Sequence, residues 1–242
     1  MDSIVVDFHS HILPGIDDGS ACVEDSIAML QMEAEQGICH VVASPHFYAN
    51  HDTPERFLRR RAEAEKRLRE ELENHSGLPE ISVAAEVYFY SGMSGSDVLR
   101  ELSIGKTQYL LVEMPHAPWT ESMYRELEAI YTRLGMVPVI AHIDRYIRPF
   151  KTFGIPERLS ELPVMVQANA EFFLNVFSRR MALRLLREDK IQLLGSDCHN
   201  LTSRAPNLGA AISVIEKHLG KETITRLNRH ENDVLRGVAA VY

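Results

Sequence analysis

His9 and His11 close a β-forming run near the start of the chain, two residues apart. Alternate residues of a strand point the same way, so both imidazoles would face one side and suit chelation of one metal ion. Taken singly, that pair reads equally well as two hydrogen-bonded strand-end histidines. Likewise His46 after Pro45 fits a turn, Glu86 an ion pair and Asp197 a helix cap. Their joint placement changes the odds. Six of seven apolar runs end in His, Asp or Glu: Asp7-Phe8-His9-Ser10-His11, Ser44-Pro45-His46, Glu86, Glu113, Ala141-His142 and Ser196-Asp197-Cys198-His199. Gathering so many carboxylates and imidazoles on one rim without a cation is costly, so the set implies bound metal. Five imidazoles with several carboxylates and no thiolate cluster favour Mn, Fe, Co or Zn over Ca.

Arg145, three residues beyond His142, and Arg204, in the loop after His199, add guanidiniums able to grip phosphoryl oxygens in two-point fashion. Each alone fits an ordinary surface ion pair. A rim of metals flanked by arginine points to hydrolysis of a phosphate ester by a metal-bound hydroxide. Cys198 and Arg204 also satisfy Cys-x5-Arg, the pattern of thiolate phosphatases. That loop has no glycine and would leave six other strand-end ligands unexplained, so the match reads as coincidence.

The elements that must position these residues alternate from end to end, the mark of βα units and a parallel sheet. Strands are expected at Ser3 to Phe8, Ile38 to Ser44, Ile81 to Val87, Thr107 to Met114, Met136 to Ala141, Val164 to Ala168 and Ile191 to Gly195. Helices are expected at Glu24 to Gln36, Pro54 to Asn74, Ser96 to Leu102, Thr120 to Leu134, Ser178 to Glu188, and from Ala205 onward. Asp18-Gly19 with Ser20 suggests a turn and cap before the first helix, and Gly37 its stop. The mixed charges from Arg59 to Glu71 read as a solvated helix face. In parallel α/β sheets the C-terminal strand ends share one mouth, which is where the ligand candidates fall.

Composition narrows the class. The 242 residues carry 26 Lys plus Arg against 34 Asp plus Glu, a net charge of −8, which argues against nucleic acid held by bulk electrostatics. Hydrophobic residues at 45% and charged ones at 25% exclude disorder, collagen and coiled coil. Acids in the first residues oppose a signal peptide, and no apolar run approaches the roughly 18 residues that span a bilayer. A cytoplasmic protein without membrane insertion is expected. Three cysteines at uneven spacing make a disulfide framework improbable. No linker or repeat interrupts residues 1–242, so one domain is expected.

The string His9-Ser10-His11-Ile12-Leu13-Pro14-Gly15-Ile16-Asp17-Asp18-Gly19 resembles the opening of the PHP (polymerase and histidinol phosphatase) superfamily. Within it, the likeness is to bacterial manganese-dependent protein-tyrosine phosphatases of capsule or exopolysaccharide synthesis. Glu86 in Ala-Glu-Val-Tyr, Glu113 in Val-Glu-Met, Ala141 to Tyr146 and Ser196 to Asn200 follow in family order. The resemblance implies a distorted (β/α)7 TIM-like barrel and up to three divalent ions, Mn2+ first, with Fe, Co, Zn or Mg as alternatives. It places His9, His11, Glu86 and Asp197 around one ion. Glu86, Glu113 and His142 surround a second, and Asp18, His46 and His199 a third. Arg145 and Arg204 then serve catalysis and bind the substrate phosphate. The implied substrate is phosphotyrosine in protein, with a bacterial tyrosine kinase of polysaccharide synthesis as partner. Asp18 enters as a ligand only through this likeness, with Asp17 as its neighbour.

Phe47 and Tyr48 could flank a phosphotyrosine ring, or cover the barrel edge; the second reading is preferred. His116 is an added candidate for proton transfer to the leaving phenolate. Asn169 either bonds a ligand or substrate oxygen or caps backbone, while His40, His75, His218 and His230 read as surface or packing residues. Two rivals stand: a histidinol-phosphate or other small-molecule phosphatase, and a non-catalytic regulatory module on the same barrel.

Overall fold

The structure, a computed structural model, describes residues 5–147 and 154–238. Its strands are β1 (Val6–Ser10), β2 (His40–Ala43), β3 (His46–Phe47), β4 (Glu80–Val83), β5 (Glu86–Tyr88), β6 (Tyr109–Glu113), β7 (Val137–Ile140), β8 (Met165–Asn169) and β9 (Leu193–Gly195). The helices are α1 (Val23–Glu35), α2 (Pro54–Leu72), α3 (Leu99–Leu102), α4 (Glu121–Leu134), α5 (Ile155–Leu159), α6 (Ala170–Leu174), α7 (Arg179–Arg187), α8 (Leu208–Leu219) and α9 (Lys221–Leu235). Every strand pairing is parallel, in the orders β1-β2-β4 and β3-β5-β6-β7-β8-β9.

The two sheets are one curled surface broken at Ser44-Pro45 and Ala84-Ala85. Pro45 has no N–H to give a ladder. Bonding nevertheless carries across both breaks, from Ser44 N to Ser10 O (2.8 Å), Ala84 N to Ala43 O (2.8 Å) and Glu86 N to Pro45 O (3.0 Å). The curl brings β1 against the segment after β9, where Asp197 N donates to His9 O (2.7 Å) and His11 N to Cys198 O (2.9 Å). Two distant ligand pairs thereby share one seam.

Side-chain alternation splits the core. Along β6, Leu110 and Val112 pack toward the helices, while Tyr109 and Leu111 join Phe8, Val139, Met165 and Leu193 in a separate buried cluster closed by Val234 of α9. Glu113 continues the Tyr109–Leu111 face, so the polar rim sits on an apolar floor. The expected helices appear with shifted ends. The cap of α1 is Cys22 rather than Ser20, whose hydroxyl engages Ser26 and Cys22 O. The C-terminal helix breaks in two at Gly220. The short α5 and α6 were not expected, and Ser3, Ile4 and the last four residues lie outside the described residues. No described helix is long and apolar enough to cross a membrane.

Candidate metal centre

Nine residues named from sequence converge at the C-terminal strand ends. His9 and His11 are fully buried, with their Nε2 atoms 3.2 Å apart and 3.2 and 3.4 Å from Glu86 Oε2. Asp197 Oδ1 lies 3.6 and 3.5 Å from the same two nitrogens. His142 Nε2 is 2.7 Å from Glu86 Oε1 and 3.7 Å from Glu113 Oε1. His46 bridges two regions, its Nδ1 2.8 Å from Glu86 Oε2 and its Nε2 3.5 Å from Asp18 Oδ1. His199 Nε2 meets Asp18 at the same 3.5 Å. Among these nine residues, potential ligand atoms gather closely in three groups: His11, Asp18, His46 and His199; His9, His11 and Glu86; His46, Glu86 and Glu113. The grouping departs from the family scheme: His46 stands in the place of His142 beside Glu86 and Glu113, His11 joins Asp18, His46 and His199, and Asp197 falls outside the group of His9, His11 and Glu86. Glu86 lies at the centre of the whole array.

Backbone strain marks the same place. His142 (φ 32°) and Asp197 (φ 54°) take left-handed conformations that non-glycine residues rarely adopt.

The donor set fits divalent cations on this structure's own terms. Glu86 Oε2, Glu113 Oε2, His46 Nδ1 and His199 Nε2 are buried without a hydrogen-bond partner. Glu86 Oε2 and His46 Nδ1 approach to 2.8 Å yet lack hydrogen-bond geometry, as lone pairs converging on a shared centre would. Burial would raise the Glu86 carboxyl, but His9, His11, His142 and His46 outweigh it and hold it well below the usual range. Burial and the neighbouring Glu86 charge push Glu113 up to about 7. Burial and His11 push His199 down to about 4. Carboxylates in mutual repulsion and an imidazole kept neutral are the forms that accept a metal ion.

Both arginines reach this mouth. Arg145 pairs with Asp197 Oδ2, and Arg204 Nη2 lies 2.8 Å from Asp197 Oδ1. The two aromatics after His46 part ways: Phe47 is buried against Phe57, with ring centroids 5.0 Å apart, while Tyr48 is half-buried with its ring 5.3 Å from that of His46. Tyr48 lines a cleft of about 440 Å³ with Asp17, Asp18, His46 and Arg56. His116 is exposed, its ring 5.7 Å from Tyr146. Cys198 is fully buried, and burial followed by Glu33 and Asp7 pushes its thiol well up, which denies it a thiolate's role.

Two further residues act here: Asp17, named in sequence only as the neighbour of Asp18, and Gln167, not named at all. Asp17 Oδ2 accepts from His11 Nδ1 at 2.7 Å and from His46 N at 3.0 Å, turning the other His11 nitrogen toward Glu86. Its position beside Asp18 was the available signal. Gln167 is fully buried in β8 and carried none.

The model of the family described as "Capsular polysaccharide synthesis, CpsB/CapC" matches residues 5–235. The chain belongs to the CpsB/CapC family. It is 28% identical to tyrosine-protein phosphatase YwqE of Bacillus subtilis (strain 168), covering 96% of this chain and 92% of that protein. It is 27% identical to tyrosine-protein phosphatase CpsB of Streptococcus agalactiae serotype V, covering 92% and 94%. A crystal structure from work on YwqE of Bacillus subtilis and CpsB of Streptococcus pneumoniae, described as unique metal-dependent tyrosine phosphatases, superposes with a TM-score of 0.85. That match has 26% identity over 98% of this chain and 96% of the other. A D-hydantoinase shares the fold alone, at a TM-score of 0.53 and 12% identity. The capsule-family likeness therefore runs through every strand end that carries a ligand candidate.

Proposed function

We propose that this CpsB/CapC-family chain is a metal-dependent protein-tyrosine phosphatase that hydrolyses aryl phosphate monoesters. The observation that carries the reading is the convergence of unpartnered, buried lone pairs on Glu86, Glu113, His46 and His199 at one mouth, in a chain whose full-length relatives bear that name. His9, His11, Glu86 and Asp197 would hold one ion, Glu86, Glu113 and His142 a second, and Asp18, His46 and His199 a third. The scaffold is read as a distorted (β/α)7 barrel spanning residues 1–242, with β2 and β3, and likewise β4 and β5, each counted as one interrupted strand. Mn2+ is the proposed native ion, the proposed partner is a tyrosine kinase of polysaccharide synthesis, and the proposed location is the cytoplasm.

Bound divalent ions supply Lewis acidity toward phosphoryl oxygens and make water nucleophilic at neutral pH. The chain supplies the rest. Arg145 and Arg204, about one-third exposed at the mouth, offer planar donors to the phosphoryl oxygens, where charge builds in the transition state. Asp17 keeps His11 oriented, and the apolar floor keeps water from entering beneath. Tyr48, 5.5 Å from the Tyr88 ring, forms an aromatic wall where a substrate ring would lie.

The test compares turnover of a phosphotyrosyl peptide and of histidinol phosphate by one Mn2+-loaded preparation, before and after chelation. Preferred, chelator-sensitive hydrolysis of the peptide is expected. Faster turnover of histidinol phosphate would move the assignment to a small-molecule phosphatase. Absence of hydrolysis of any aryl phosphate by loaded protein would favour a regulatory module.

A further inference from the structure

We propose that Gln167 is a positioning residue of the centre: one buried carboxamide fixes which nitrogen of His9 faces the ions and ties that histidine to Asp197. The inference rests on the metal reading above and adds a residue to it.

A backbone N–H can only donate, and one fixes the orientation of Gln167. The backbone N–H of His142 lies 2.7 Å from one terminal atom of Gln167, which must therefore be the acceptor Oε1. His9 Nδ1 lies 3.2 Å from that same oxygen. A carbonyl oxygen cannot donate, so Nδ1 carries the proton and gives it to Gln167. In the neutral ring the lone pair is then on Nε2, the atom 3.2 Å from Glu86 Oε2 and 3.6 Å from Asp197 Oδ1. The tautomer competent for coordination is thus written by a backbone amide acting through a side-chain amide.

The other end of Gln167 is fixed by the same logic. Its Nε2 donates to Asn169 Oδ1 at 3.0 Å, which leaves Asn169 Nδ2 to donate to Asp197 Oδ2, also at 3.0 Å. Asn169 is held in turn through its own N–H, which donates to Asp144 Oδ1 at 2.9 Å. The bonds run in one direction, from the His142 backbone and His9 into Gln167, then through Asn169 to a carboxylate. One amide from β8 thereby links candidate ligands of β1, the segment after β7 and the segment after β9, three places far apart in sequence.

Two further facts favour this role over simple packing. Gln167 is fully buried in β8 between Val166 and Ala168, where an amide is costly unless its bonds are made. The space beside it is also closed: a Cβ on Gly195 would stand 2.6 Å from His9 Cβ and 2.9 Å from Gln167 Nε2. Gly195 therefore packs closely against both His9 and the Gln167 carboxamide.

The test measures Mn2+ affinity by calorimetric titration of the chelator-stripped full chain, for the parent, Gln167→Leu and Gln167→Glu. Loss of partners that orient a ligating histidine costs about 10- to 100-fold in metal affinity, which is the drop expected for Gln167→Leu. Gln167→Glu keeps an oxygen facing both His9 and His142 and is expected to bind at least about tenfold more tightly than Gln167→Leu. A second readout is the 15N spectrum of the His9 ring in metal-free parent at alkaline pH, expected to show the proton on Nδ1.

Parent-like affinity in Gln167→Leu, equal weakening in both variants, or a His9 proton on Nε2 would overturn the proposal. Should Gln167→Leu not fold, the His9 tautomer in the parent and in Gln167→Glu decides it by the same criterion. Failure of the parent itself to bind Mn2+ is a different result, because it removes the metal reading instead.

Discussion

Replacing Glu231 by Gln should flatten the pH dependence of folding stability. Glu231 lies on α9, fully buried, with Oε2 unpartnered. Burial raises its carboxyl from 4.5 to about 8, against the opposing pull of a hydrogen bond from the Val6 backbone. The folded chain therefore holds this proton more tightly than the unfolded chain does. For a group raised on folding, the stabilising contribution is complete below the unfolded value of 4.5 and is lost as pH climbs toward 8. Each pH unit within that window costs about 1.36 kcal/mol. From pH 5 to pH 8 the loss from this one group is roughly 3 kcal/mol, a large part of an ordinary folding stability. Glu231→Gln keeps an oxygen facing Val6 and cannot ionise, so it should lose less stability than the parent by that amount. Urea unfolding of chelator-stripped parent and variant at both pH values reads the difference directly. Asp7 and Glu33, also raised by burial, titrate in both proteins, and because the Asp7 charge adds to the rise at Glu231 the difference reads Glu231 together with that coupling. Parallel losses in the two proteins would refute the reasoning.

Three other outcomes are expected. Arg145→Ala should lower kcat/KM for a phosphotyrosyl peptide by about 10- to 100-fold through lost charge stabilisation, and an unchanged rate would remove Arg145 from the chemistry. Cys198→Ser should retain most activity while chelation abolishes it; the reverse pattern would restore the thiolate mechanism. Gly195→Ala forces its Cβ against His9 and Gln167, and should cost about 1–3 kcal/mol of stability by urea unfolding together with weaker Mn2+ retention.

The site was readable in sequence because parallel strands deliver their C-terminal ends to one place, so a list of strand ends is already a list of neighbours. His9, Glu113 and His142 needed nothing more. His46 was less plain. It read as a turn residue because Pro45 precedes it, whereas it opens the two-residue β3, whose alternation sends Phe47 into the core. Gln167 was hidden for a different reason: a buried amide has no charge or spacing signature, and its role depends on partners 158 and 25 residues away. Among the helices, α6 was missed because five residues are too few to display a helical period, and the break at Gly220 was absorbed into one long amphipathic run. The seven-run count from sequence meets strands that the structure divides at Pro45 and at Ala84-Ala85, places where backbone bonding continues although the strand geometry lapses.

The most direct test of the account is elemental analysis of the purified, Mn2+-reconstituted chain beside its Asp197→Ala variant, with phosphotyrosine hydrolysis followed on the same samples. More than one ion per parent chain is predicted, with fewer ions and a rate lower by several orders of magnitude in the variant. A metal-free parent that hydrolyses phosphotyrosine as fast as the reconstituted enzyme would contradict it.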